Sequence, residues 1–224
     1  ELDRLPDGAV RPAGLLVQDV KRLHALVLEL LELARLDAGD AVHLERLDVV
    51  GAVEAAVRPW ADEAAHLRLH LPAGLSVRAD RSRFKRVLAN LVSNAVRHGG
   101  GEVEIRASGD AGFVTIEVSD QGPGLSEEDS ERVFDRFYKA DTSRSRGGSG
   151  LGLAIARQHA VAQGGSLEAA PNRPGGGARF IFRVPADVPA GENAVPAVWH
   201  PSPPPGVSEG SAAVDARTGR DRRA

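Results

Sequence analysis

A chain of 224 residues with a formal net charge of -3 and neither cysteine nor methionine has room for one well-buried domain with appendages, not for two full-sized enzymatic domains. That charge balance gives no basis for nucleic-acid binding, which needs a strong basic excess or stripe. The lack of cysteine excludes disulfides, thiol nucleophiles and Cys-ligated zinc, and no apolar run reaches the roughly 18 residues of a membrane span.

Residues 1 to about 43 read mostly as one helix. Apolar residues recur at Leu16, Val20, Leu23, Val27, Leu30 and Ala34, in steps of four and three that make a heptad seam. Charged residues fill the intervals: Lys21, Arg22, Glu29, Glu32 and Arg35. Gly39 is the expected C-terminal cap. One heptad helix cannot bury its seam alone and needs an upstream helix or a second subunit.

Residues 44 to about 186 alternate helical and strand patterns. Helices are expected over 53–68, 82–98, near 127–134 and over 150–163. Strands are expected over 69–71, 76–78, 102–107, 113–119, 166–170 and 178–184. Adjacent strands with flanking helices place the chain in the α/β class, as a two-layer α/β sandwich. From residue 187 to 224 Pro, Ala, Gly, Ser and Glu dominate without a period, the composition of a disordered tail.

Four segments carry chemistry. The first in chain order is helical. In it Asn90, Asn94 and Arg97 share one face, with His98 beside them. Asparagine is a poor helix-interior residue, so two in register suggest a task, such as holding Mg²⁺ through an amide oxygen, with Arg97 toward a phosphate. A solvated polar face is the alternative. The second is Asp120-Gln121-Gly122-Pro123-Gly124, after a strand. It suits recognition of an adenine amino group by a carboxylate, or a plain turn. The third, Val133-Phe134-Asp135-Arg136-Phe137-Tyr138, concentrates aromatics ahead of a polar, basic stretch over 139–149. That stretch has the character of a lid carrying Arg144 and Arg146 toward phosphate, or of a solvated loop. The fourth is Gly148-Ser149-Gly150-Leu151-Gly152, opening a helix. Glycines allow close approach of an anion to the backbone, and a helix start supplies free N–H groups. It is not a Walker loop, because no Gly-Lys-Ser/Thr follows.

Taken in this order, the four segments resemble the N, G1, F and G2 boxes of bacterial sensor histidine kinases, and the resemblance covers residues 13 to 185. It implies a Bergerat-type ATP-binding fold over 44–186. Residues 1–43 would then be the second helix of a dimerisation and phosphotransfer hairpin. It implies protein-histidine kinase activity with ATP and Mg²⁺, Asn94 being the metal ligand and Asn90 the first asparagine of its box. Arg97 and His98 would line the nucleotide, Asp120 would read adenine, and Gly122, Gly124 and Phe134 would shape the base side. Gly148, Gly150, Leu151 and Gly152 would serve the phosphate side, with Arg144 and Arg146 on the lid. The implied partners are a response regulator and a second copy through the hairpin, with no nucleic acid. The implied setting is the cytoplasmic portion of a membrane-anchored sensor, with an upstream portion expected before Glu1.

Three features depart from the family pattern. No His-Glu-Leu-Arg-Thr-Pro-like acceptor motif occurs, and His24 lies off the seam, so the chain alone is expected to bind ATP without phosphorylating itself. Gly177-Ala178 stands where Gly-Thr is common, which removes a water-mediated adenine contact. Gln163-Gly164-Gly165 replaces His-Gly-Gly. The rival readings are a hydrolase of the same superfamily, an anti-sigma-type serine kinase, and a nucleotide-binding regulator or degenerate kinase. The first needs a glutamate where Asn90 stands; the second lacks a hairpin helix.

Overall fold

The computed structural model describes residues 7–60, 67–110, 112–139, 148–172 and 176–187. The expected lid segment carrying Arg144 and Arg146 lies outside the described residues, as does the expected tail over 187–224 apart from Asp187, whose N–H donates to the carbonyl of Ser76.

Helix α1 runs over Asp7–Asp37. Gly39 takes φ +76°, the N–H of Gly39 donates to the carbonyl of Leu36, and the N–H of Asp40 donates to that of Arg35. This is the paired closure that a left-handed residue after a helix makes possible. Strand β1 (Glu45–Asp48) and helix α2 (Val49–Val57) follow directly. The expected helix over 53–68 needs correction. Helix α2 starts at Val49 because the carboxylate of Asp48 caps the N–H of Gly51, and it gives way to a 3-10 turn, Arg58–Trp60, at Pro59, where proline removes a helical donor. Leu67 and Arg68 belong to strand β2 (Leu67–His70). Strand β1 was not expected; it pairs antiparallel with β3 (Ser76–Ala79).

Helix α3 covers Arg81–His98. Strands β4 (Val103–Asp110) and β5 (Phe113–Ser119) form a hairpin. Then come α4 (Glu127–Arg132), α5 (Gly152–Ala162), β6 (Ser166–Pro171) and β7 (Ala178–Pro185). The main sheet has the order β2-β4-β5-β7-β6. Its β2–β4 pair is parallel and the others are antiparallel. Val114, Ile116 and Val118 of β5, and Phe180, Phe182 and Val184 of β7, are buried on one sheet face. They meet Phe84, Val87, Leu88, Leu91 and Val92 of α3 in one core. Apolar residues at alternate strand positions against a helical stripe give the expected two layers.

Asp80 fastens three parts of this fold. Its Oδ1 caps α3 by accepting from the N–H groups of Ser82 and Arg83 and from the Ser82 hydroxyl. Its Oδ2 accepts from the N–H of His43, 3.0 Å away in the segment after α1. Its own N–H donates to Oε1 of Gln163, whose Nε2 donates to the carbonyl of His159 in α5. The glutamine that departs from the family pattern is thus a buried joint between α3 and α5. Burial pushes the Asp80 carboxyl up, but the hydrogen bonds from Ser82, His43 and Arg83 outweigh it and hold the group at about 2, below its ordinary 3.8.

A folded-state value below the unfolded one gives stability that is present above about pH 4 and lost as pH falls toward 2. Asp80→Ala should therefore lower the unfolding free energy by about 2 kcal/mol at neutral pH. Urea denaturation should find the variant and the original chain converging near pH 2.

Candidate functional site

The C-terminal half of α3, the end of β5 and the start of α5 converge on a cavity of about 530 Å³. Helix α3 supplies Asn90, Ser93, Asn94, Arg97 and His98 to its wall. These positions share one face because the opposite face, Val87, Leu88, Leu91, Val92 and Ala95, is buried against the sheet. Asp120, Pro123, Gly124 and Leu125 follow β5 into the cavity, Val133 and Tyr138 flank it, and Ala178 and Phe180 of β7 form its floor. Gly148, Ser149, Gly150 and Gly152 bring the glycine loop alongside.

Asp120 is 4% exposed. Its Oδ1 accepts from the N–H of Gly122 at 2.9 Å and from that of Ala178 at 3.1 Å. Its backbone N–H donates to the carbonyl of Ala178, and its carbonyl accepts from Nδ2 of Asn172. Oδ2 carries none of these bonds, so one carboxylate oxygen is fixed and the other is left to accept. Gly177, at φ +88°, passes so close that a Cβ there would lie 1.8 Å from the carbonyl oxygen of Asp120. A side chain at Gly177 cannot coexist with this corner.

At the other side of the cavity, Gly150 at φ +75° packs on the backbone of Phe137 and Tyr138. Its carbonyl accepts the N–H of Phe137. Helix α5 begins without a side-chain cap, which leaves its first-turn N–H groups available to an anion. Arg97 and Lys139 line the cavity and carry no ion pair among the described residues. Asn90 has a buried Nδ2 without a partner and stands against Gly152. The amide of Asn94 makes no hydrogen bond among the described residues. Nor do those residues contain a group of three or more His, Asp or Glu able to hold a metal. Such a donor set fits a Mg²⁺ ion that takes one or two protein oxygens and fills its remaining positions with phosphate and water.

The sequence-predicted Asn90, Asn94, Arg97, His98, Asp120, Gly124, Gly148, Gly150 and Gly152 therefore meet in one place. Three others do not line it. Gly122 supports Asp120 through its N–H. Phe134 is buried in the core beneath the Arg157 guanidinium, 5.2 Å from its ring centre. Leu151 is buried with Leu33 and Ile155.

The part missed in the sequence is a wall made by α1, from Arg22, Ala25, Leu26 and Glu29. Helix α1 lies on α5 through Leu33 and Leu36. Glu32 receives Nε and Nη2 of Arg86 at 2.9 and 2.5 Å and approaches Nε2 of His159 at 2.8 Å. Burial pushes the Glu32 carboxyl up, yet His159 and Arg86 together hold it below the usual range. Asp37 receives Arg136 and Gln158, which lower its carboxyl.

Residues 79–188 match the model of the Histidine kinase-, DNA gyrase B-, and HSP90-like ATPase family. The chain is 42% identical over 186 residues to the signal transduction histidine-protein kinase AfsQ2 of Streptomyces coelicolor, covering 81% of this chain and 34% of that protein. It is 35% identical over 189 residues to the sensor-like histidine kinase SenX3 of Mycolicibacterium smegmatis, covering 80% and 49%. The chain thus spans between a third and a half of the length of these relatives. Among solved structures, full-length ShkA in complex with AMPPNP superposes with a TM-score of 0.69 at 28% identity, over 82% of this chain and 40% of that one. Acinetobacter baumannii AdeS, also a histidine kinase, gives 0.65 at 25%, over 82% and 87%. The chain carries an ATP-binding domain of that ATPase family. Within it, the chain belongs with the sensor histidine kinases, as their catalytic domain.

Asp120→Asn can keep its oxygen on Gly122 and Ala178 only by turning its NH₂ group into the cavity, donor against donor. It should weaken adenine nucleotides by about 1.5–3 kcal/mol and reduce the preference for adenine over guanine nucleotides, as read by calorimetry.

Proposed function

We propose that the domain transfers the γ-phosphoryl group of ATP to a histidine nitrogen, for relay to a response regulator, within a homodimer joined through the hairpin helix. One observation carries this reading. Asp120, whose Oδ2 accepts no hydrogen bond among the described residues, the two asparagine amides, Arg97 and the uncapped start of α5 all face a single cavity. On this reading Asp120 accepts from the adenine amino group. Asn94, with Asn90 beside it, presents amide oxygens to Mg²⁺. Arg97, Lys139 and the N–H groups of α5 hold phosphate oxygens. When bound, Mg²⁺ supplies charge neutralisation on the phosphates. Positioning and neutralisation are what phosphoryl transfer chiefly requires of a protein. Asparagine at position 90 cannot act as a base toward water, which favours transfer over hydrolysis.

The heptad seam supports the dimer. Leu16, Val20, Leu23, Val27 and Leu30 are 41 to 65% exposed, and a contiguous apolar stripe of this kind marks an interface. No helix among the described residues is long and apolar enough to cross a membrane; a membrane anchor belongs to the proposal as an upstream element.

The test is acid-labile, base-stable phosphate from labelled ATP. None of the seven histidines should take label in the chain alone; His24 is exposed on α1, outside any acceptor motif. Fused after a helix bearing an acceptor histidine, the chain should label that histidine, and Asn94→Ala should abolish the label. Label persisting in Asn94→Ala would remove the asparagine from the metal site. Sedimentation should show a dimer that Leu23→Glu shifts toward monomer, by placing a charge in the seam.

A further inference from the structure

The nucleotide-site reading above is the premise for a role of helix α1. Its face bearing Arg22 and Glu29 closes one side of the cavity. Glu29 is half-buried, and its Oε2 accepts the hydroxyl of Ser149. Ser149 Oγ in turn accepts the N–H of Leu151 at 3.1 Å. The carboxylate is therefore tied through one hydroxyl to the glycine loop and to the start of α5. A helix start attracts an anion, and in this structure the nearest anion tied to it is a side chain of α1. The other charged groups lining the cavity are Arg22, Arg97, Lys139 and Asp120. The three cations carry no ion pair among the described residues, and Asp120 is fastened to Gly122 and Ala178, away from the glycine loop.

We propose that Glu29 makes docked α1 a reader of the nucleotide's terminal phosphate. With α1 seated on α5, a negative charge sits at the phosphate side of the cavity, so the pocket disfavours the additional charge of a nucleoside triphosphate relative to a diphosphate. By linkage, a triphosphate favours release of α1 by the same factor. The contacts that seat the helix lie outside the cavity: Leu33 against Leu151 and Ile155, Glu32 with Arg86 and His159, and Asp37 with Arg136. The diphosphate state is thus the state in which the phosphotransfer helix lies against the catalytic domain, and the triphosphate state is the one in which it is freed.

Calorimetry on the 224-residue chain, with ADP and with AMPPNP in the presence of Mg²⁺, tests this. Glu29→Gln should raise AMPPNP affinity about tenfold while moving ADP affinity less than about twofold. Glu32→Gln, which loosens the seating without entering the cavity, should shift the AMPPNP-to-ADP ratio in the same direction. ADP binding also reports that each variant is folded. An equal change for both nucleotides in Glu29→Gln, or weaker AMPPNP, would overturn the proposal. A ratio that Glu32→Gln leaves unchanged would overturn the link to helix seating. If the unaltered chain bound neither nucleotide, the site reading itself would fall, and this inference with it.

Discussion

The N–H groups of Gly122 and Ala178 both donate to Oδ1 of Asp120, and the arrangement of the site follows from that one fixed oxygen. The bond to Ala178 exists because β5 and β7 pair with Ser119 opposite Arg179. The residue after β5 is thereby brought onto the residue that starts β7. A slip of one residue in this ladder would turn every core side chain of β7 outward, so the burial of Phe180 and Phe182 also holds Asp120 in place. The close passage of Gly177 is the other half of the corner. The backbone of Asp120 occupies the space that a side chain at position 177 would need.

Around this corner two helix ends are brought face to face with opposite offerings. Helix α3 arrives with its last turn, where Arg97 and His98 stand. Helix α5 departs with its first, uncapped turn. The Arg97 guanidinium at the C-terminal end of one helix and the uncapped N–H donors at the N-terminal end of the other make this side of the cavity favour anions. Asp80 and Gln163 keep the two helices in this relation from the far side, through a buried joint that bonds the cap of α3 to the end of α5. The site is therefore framed at both ends of the α3–α5 pair.

Much of this was legible because alternation and periodicity were clean where burial is one-sided. Strand β5 was expected over the residues it occupies, since Val114, Ile116 and Val118 alternate with polar neighbours. The face of Asn90, Asn94 and Arg97 could be read because the opposite stripe is fully buried. Strand β1 was not legible: of its four residues Leu47 alone is buried, and one apolar position makes no pattern. The expected helix over 53–68 starts after the true cap at Asp48 and runs past Pro59, where the helix gives way to a 3-10 turn. Strand β4 runs three residues beyond its expected end because Ser108, Gly109 and Asp110 are held by the hairpin ladder and not by burial. Phe134, which the resemblance puts on the base side of the nucleotide, lies in the core cluster and does not line the cavity.

Helix α1 shows how a strong pattern hides a weaker one. Its heptad seam draws the eye, yet the seam is exposed. The contact with the rest of the chain is made by Leu26, Leu33 and Leu36, interleaved with Glu29, Glu32 and Asp37. These positions recur at three to four residues and lie on a different side of the helix from the seam. The helix therefore carries two faces with different physics. The seam is apolar and continuous, suited to a permanent partner. The other face mixes a few leucines with Glu29, Glu32 and Asp37, whose partners are a serine, arginines, a histidine and a glutamine. Of these contacts the exposed Asp37–Arg136 pair is screened by salt and weak. In the proposed dimer, a helix held on its seam by a second copy would let the catalytic domain leave its other face and return while the seam stays closed.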